Sequence, residues 1–151
     1  MSHELALQKA LIAHLKTDPA TYGFLGNRIW EAAPSSPGYP HLLMGRSESR
    51  PMSADGGGLE HLLTLTIISH FFGTEEAKAV MAAIRLRLAD AVLEADGVRT
   101  VSLGVRFADV WRSPTGIRTY AVLRVRAVTE DIWTDGEGHE RAARQGYPAE
   151  D

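Results

Sequence analysis

Residues 98–130, VRTVSLGVRFADVWRSPTGIRTYAVLRVRAVTE, carry the strongest structural signal in the chain. Val98–Trp111 and Ile117–Glu130 alternate apolar and polar positions at the period of a strand, and Ser113-Pro114-Thr115-Gly116 between them has proline and glycine where a tight turn needs them. The stretch therefore predicts a long β-hairpin in the C-terminal half. Val101, Leu103, Val105 and Phe107 mark one face of its first strand, and Ala121, Leu123, Val125 and Ala127 mark the matching face of the second. Apposing those faces sets Phe107 opposite Leu123 and Arg106 opposite Arg124, because a one-residue slip would send the whole apolar set to the other side.

Upstream, Thr74 with Glu75 and Glu76 reads as a helix start, with acids in the turn where the helix dipole favours them. Ala77, Val80, Met81, Ile84, Leu88, Ala91 and Val92 then continue one helical stripe, and Gly97 is expected to cap the helix. Leu59–Phe72 alternates again, with Leu63, Leu65, Ile67 and Phe71 on one face. At the N-terminus, Leu7, Leu11 and Leu15 repeat every four residues through Glu4–Lys16, with Ser2 as N-cap. Asp18-Pro19 opens a short second helix that Gly26 closes. Asn27–Ala33 and His41–Gly45 flank the Pro34, Pro37, Gly38, Pro40 cluster and read as short strands.

These elements make one α+β domain over residues 1–133. Its mainly antiparallel sheet of about four to five strands is packed on one long helix plus the N-terminal helix. Residues 46–58, RSESRPMSADGGG, bury almost nothing apolar and predict a mobile loop. Residues 134–151 predict a polar C-terminal extension.

With 16 Lys and Arg against 19 Asp and Glu, the chain has a formal net charge of −3 and no generic affinity for DNA or anionic membranes. Its apolar runs are too short to span a bilayer, and the first residues lack the apolar core of a signal peptide. The absence of cysteine removes disulfides, thiolate metal sites and a thiol nucleophile. The histidines at 3, 14, 41, 61, 70 and 139 form no HxH or HxxxH pair, so no metal site is expected. No GxSxG or Ser-x-x-Lys motif is present, and Gly56-Gly57-Gly58 lacks the Gly-Lys-Ser/Thr of a phosphate loop. No cofactor and no catalytic set emerge, and the chain reads as a non-enzyme.

One stripe stands out. Arg106, Arg112, Arg118, Arg124 and Arg126 share the parity that turns them away from the apolar face of the hairpin. Clustered like charges repel unless they meet solvent, acids or phosphates. A solvated face relieved by Asp109, Glu130 or Asp131 is the plain reading, and a subunit interface or DNA-facing surface the sharper one. Tyr120 lies among the arginines, and that mixture suits a protein interface.

The order of segments carries more. ALQKALIAHLKTDP, LGNRIWEAAPSSPGYPHLLMG, EHLLTLTIISHFFGTEEAKAVMAAIRLRLADA and DGVRTVSLGVRFADVWRSPTGIRTYAVLRVRAVTED run from about residue 5 to residue 131. In that succession the chain resembles the tail-completion or tail-terminator proteins of long-tailed bacteriophages and gene transfer agents. The resemblance implies a virion structural protein made in the bacterial cytoplasm. It implies a ring, typically hexameric, that caps the tail tube, meets the head-tail connector and lets DNA pass through its lumen without specific binding. Its partners would be further copies of itself, the tail tube protein and the connector protein.

In that setting Arg106, Arg112, Arg118, Tyr120, Arg124 and Arg126 are the candidates for the subunit interface or lumen. Arg46, Arg50, Met52, Asp55, Gly56, Gly57 and Gly58 are the candidates for a loop reaching the tail tube or lumen. Two alternatives stand beside this reading. One is another head-tail joining protein of the same neck region. The other is a small cytoplasmic anion-binding domain or enzyme with Arg106, Arg124 and His70 around its ligand.

Overall fold

The computed structural model describes residues 2–52, 58–70 and 73–132. Phe71 and the expected extension over 134–151 lie outside these residues. The elements run α1 (His3–Lys16), α2 (Pro19–Leu25), β1 (Ile29–Trp30), β2 (His41–Pro51), β3 (Leu59–Ser69), α3 (Glu75–Leu88), β4 (Glu94–Ala95), β5 (Val98–Arg112) and β6 (Thr119–Asp131). The fold is α+β, with three helices among the described residues and a six-stranded sheet in the order β1-β2-β3-β6-β5-β4. The sheet is larger than the four to five strands expected, because two-residue strands border each edge. It is also mixed, since β1 pairs with β2 in parallel while the other neighbours are antiparallel.

The helix starts follow from local chemistry. Ser2 Oγ accepts from the Leu5 amide at 3.0 Å, and Asp18 accepts from the Thr21 amide at 3.2 Å with Pro19 at the first helical position. Gly26 ends α2 at φ +57°, a region closed to most side chains. Arg87 joins the C-terminal ends of two helices: its guanidinium donates to His14 O at 3.0 Å and to Thr17 Oγ1 at 3.1 Å, while His14 Nε2 lies 3.0 Å from Arg87 O. A cation there meets the carbonyls that a helix end leaves without partners.

The expected stripe through Val92 overshoots. α3 stops at Leu88, Asp90 takes φ +54°, and Val92 is 71% exposed. Gly97 is correspondingly not a helix cap. Asp96 and Gly97, at φ +51° and +80°, are the two central residues of a tight turn from β4 into β5. Two consecutive positive φ angles are what a two-residue hairpin turn demands, and Asp-Gly supplies them.

The core lies between one face of the sheet and the helices. Leu7, Leu11 and Leu15 of α1, Val80, Ile84 and Leu88 of α3, and Leu65, Ile67, Leu123 and Val125 of the sheet belong to one buried cluster. Each such leucine or isoleucine removed from water contributes about 1.5–3 kcal/mol. α3 packs on β3, β5 and β6, while α1 packs on β4 and β5.

Two expectations for the strands are corrected. Arg46–Pro51, expected in the loop, form the second half of β2 and pair with Leu59–Thr64. Their side chains are exposed, so composition gave no sign of a strand, yet pairing with β3 satisfies the backbone without burying side chains. The hairpin register also differs. β5 carries irregularities between Thr100 and Ser102 and between Val105 and Phe107, each adding one residue to β5. Phe107 therefore faces Arg124 and Ala108 faces Leu123, and both Val101 and Phe107 are more than half exposed. A β-bulge inverts the parity of everything after it, which alternation counted along a single strand cannot show.

Candidate functional site

Directly paired residues of neighbouring strands project from the same side of a sheet, so the pairing defines the face opposite the core. Across β2, β3, β6 and β5 this face presents successive rows. His41, Ile68, Tyr120 and Trp111 form one, followed by Leu43, Thr66, Val122 and Asp109. Arg46, Thr64, Arg124 and Phe107 come next, then Glu48, Leu62, Arg126 and Gly104. The helices pack on the other side. Leu62 at 43%, Trp111 at 43% and Phe107 at 55% stay exposed on this face, and Trp111 stacks on Tyr120 with ring centroids 5.7 Å apart.

The arginines of the predicted stripe divide. Arg124 and Arg126 project from this face, and Arg106 occupies the bulge beside Phe107. Arg126 is already engaged, donating through Nε to Glu60 Oε2, while Arg50 Nε donates to Glu60 Oε1 at 2.6 Å. Hydrogen bonds from Arg126 and then Arg50 hold the Glu60 carboxyl below its ordinary pKa, so it stays ionised between two cations. Arg106 and Arg124 are exposed and have no ion-pair partner among the described residues.

Arg112 departs from the stripe. Arg112 pairs across the ladder with Thr119, which is buried on the core side, and donates through Nη2 to Gly116 O in the turn. Shared parity placed it with the other arginines, and the bulge at Arg106 puts it on the core face. Arg118 stands 4.8 Å over the ring of Tyr39, a cation–π contact. Tyr120 is where the stripe placed it, stacked on Trp111.

The loop candidates divide too. Arg46 and Arg50 are strand residues, and the Met52 amide donates to Gly58 O at 3.0 Å, closing the β2–β3 connection. Asp55, Gly56 and Gly57 lie outside the described residues.

The structure separates the residues of the anion-site alternative. Arg124 pairs with Thr64, whereas His70 lies six positions further along the chain, about 20 Å at strand spacing, against Tyr39. The groove bordered by Glu48, Ser49, Arg50, Glu60 and Leu62 holds about 160 Å³, below the roughly 300–1,000 Å³ of small-molecule sites.

One constellation has no signature in the sequence. His3 Nδ1 is 2.7 Å from Thr129 Oγ1, and His3 Nε2 is 3.0 Å from Asp131 Oδ1. The connectivity is that of a nucleophile, base and orienting acid. Thr129, however, is 0% exposed, and its hydroxyl also meets His61 Nε2 at 2.8 Å. A nucleophile must reach a substrate, and this hydroxyl is enclosed by two imidazoles. Residues 3, 61 and 129 are too far apart in sequence for any spacing motif to join them. Among the described residues no group of His, Asp and Glu is arranged to hold a metal ion.

Comparison with known proteins fits an assembly part. A chain in the virion of a native gene transfer agent (GTA) particle superposes with a TM-score of 0.77 at 26% identity, covering 85% of this chain and 99% of that one. No curated protein matches. The family model described as tail completion protein gp17 matches residues 9–130, from the middle of α1 to the penultimate residue of β6. That span holds all six strands and most of the core, and the chain belongs to the tail completion protein gp17 family.

Proposed function

We propose that the protein is a ring-forming part of a phage-like or gene transfer agent particle, capping the tail tube, meeting the head-side connector and leaving a passage for DNA. Family membership and the likeness to a chain of a gene transfer agent virion support a place in the particle's tail-neck region. The observation that carries the assembly reading is the part of this sheet face around Phe107 and Arg124 that the described residues leave exposed. It exposes Phe107, Trp111 and Leu62 beside Arg106 and Arg124, the pairing of aromatic residues and arginine enriched at interfaces.

A ring of identical chains needs two different patches in contact on neighbouring copies, and this face serves as one of them. Arg124, together with Arg106, pairs there with acids of the neighbour, whereas Arg126 keeps Glu60 and shapes the face from within. The ring is hexameric, and the 46–58 segment at the β2–β3 end reaches the lumen or the tail tube. The net charge of −3 per copy suits a channel through which a polyanion slides, because few counterions are released on contact.

Electron microscopy of the particle with this chain located tests the reading. A six-fold ring between tube and connector, with Phe107 and Arg124 at a subunit contact, is the expected result. Density at another ring of the neck, or Phe107 facing solvent, overturns it.

A further inference from the structure

Residues 3, 61 and 129 meet at one hydroxyl. Thr129 Oγ1 lies 2.7 Å from His3 Nδ1 and 2.8 Å from His61 Nε2, and His3 Nε2 lies 3.0 Å from Asp131 Oδ1. Thr129 and His61 are buried, on the core face where β3 and β6 pair. A hydroxyl has one hydrogen to donate and two lone pairs to accept with, a neutral imidazole has one N–H, and an imidazolium has two.

With Asp131 ionised, this stoichiometry leaves two arrangements in which every contact is a hydrogen bond and the hydroxyl hydrogen also has an acceptor among the three groups. When both rings are neutral, His3 Nε2–H donates to Asp131, the Thr129 hydroxyl donates to His3 Nδ1, and His61 Nε2–H donates to Thr129. When His3 takes a proton, both of its nitrogens donate. The Thr129 hydroxyl then turns to His61 Nε2, and His61 carries its own single proton on Nδ1. The net change is one proton gained from solvent by His3. His61 releases one proton from Nε2 and takes one up at Nδ1, so its charge is unchanged. A second proton places two imidazolium rings on one oxygen and leaves the hydroxyl hydrogen with no acceptor among the three groups.

We propose that His3, Thr129 and His61 form a relay that tethers the first turn of α1 to the sheet. The relay accommodates one proton by rotating the Thr129 hydroxyl and switching the His61 tautomer, and it opens when a second proton arrives.

The surroundings bear on that second proton. From α1, the Glu4 carboxylate faces the cluster and accepts from Ser49 Oγ of β2 at 2.6 Å. Asp131 closes the β6 side, and Thr100 pairs with Thr129 across β5 and donates to Ala91 O. Further along α1, Lys9 is held by Asp96 of the β4–β5 turn at 2.6 Å. Burial pushes His61 below its ordinary pKa, Glu4 opposes that, and His3 reinforces it. The cluster thus resists the second charge.

The test uses the full chain labelled with ¹⁵N-histidine, since two-bond proton–nitrogen spectra distinguish Nδ1–H from Nε2–H tautomers. In a titration from about pH 8 to about pH 5, His61 is expected to pass from the Nε2–H to the Nδ1–H form in step with the appearance of the doubly protonated His3 ring. Thr129→Ser is expected to keep this coupling, and His3→Gln to leave one His61 tautomer down to the pH at which His61 itself charges. Once His61 charges, amide exchange at Leu5 and Ala6 is expected to accelerate about tenfold more than at Ile84 of α3. A wild-type His61 tautomer that stays fixed over that range overturns the relay. So does a switch that persists in His3→Gln.

Discussion

Phe107 sits directly across the β5–β6 ladder from Arg124, and both side chains leave the sheet on the face away from the helices. The bulge at Arg106 is what brings them together. Without that additional residue, Phe107 would fall opposite Leu123 and enter the core, and the exposed face would lose the Phe107 ring.

Reversing charge at Arg106 and Arg124 together should abolish stable joining of completed tails to heads while leaving the monomer intact. Both side chains are exposed and lack an ion-pair partner among the described residues, so the stability change should stay within about 0.5 kcal/mol. Particle counts by electron microscopy and a urea melt of the isolated protein check the two halves. Wild-type particle yield would count against the interface.

Leu123→Ala tests the core from the centre of the sheet. Leu123 is 0% exposed and belongs to the same buried cluster as Leu65 of the neighbouring strand. Removing its side chain should cost about 2–5 kcal/mol, through lost transfer energy and the cavity left behind. Equilibrium urea unfolding reads the change, and a loss below about 1 kcal/mol would mean that the site collapses far more completely than a packed core allows.

Gly58, just before β3, and Gly104 of β5 should respond in opposite ways to alanine. Gly58 has φ +106°, and a Cβ there would stand 2.7 Å from the Thr129 carbonyl oxygen. Gly58→Ala should therefore cost more than about 1 kcal/mol, since both the backbone angle and the space forbid it. Gly104 has ordinary φ and nothing within 4 Å of an added Cβ, so Gly104→Ala should be neutral or slightly stabilising. Thermal melts of the two variants side by side decide it.

Stability should fall as pH drops below about 6.5, the imidazole's ordinary value. The folded state holds the buried His61 below that value, chiefly through burial. The unfolded chain therefore binds the proton first. The contribution of neutral His61 is complete above the unfolded pKa and is lost as pH falls toward the folded one. Glu4 is also lowered, mainly by its hydrogen bond from Ser49, and its contribution disappears in a more acidic window, below the ordinary carboxyl range. His61→Gln should flatten the melting-temperature profile in the upper window and leave the lower one. A profile unchanged by the substitution would remove His61 as its cause.

Most elements are legible from local chemistry alone. Asp18-Pro19 and Gly26 bracket α2, and the alternation of Leu63, Leu65 and Ile67 marks the core face of β3. These features act over a few residues and carry their own physical cause. The stripe of arginines is legible in the chain only as a set of positions. Its division into Arg106 and Arg124, without ion-pair partners among the described residues, Arg126 bound to Glu60, and Arg112 on the core side depends on a bulge and on β3.

Residue order was enough to specify the α+β class, the Ser2 and Asp18 caps, the Ser113–Gly116 turn and the inward face of β6, because each follows from side-chain period or backbone preference within a short window. Contacts between distant segments settled the rest. Pairing with Leu59–Thr64 made a strand of Arg46–Pro51, two irregularities in β5 set which residues leave the core, and packing of α1 brought His3 to Thr129 and His61. The free energy of such contacts comes from the assembled core and cannot be read from any one segment.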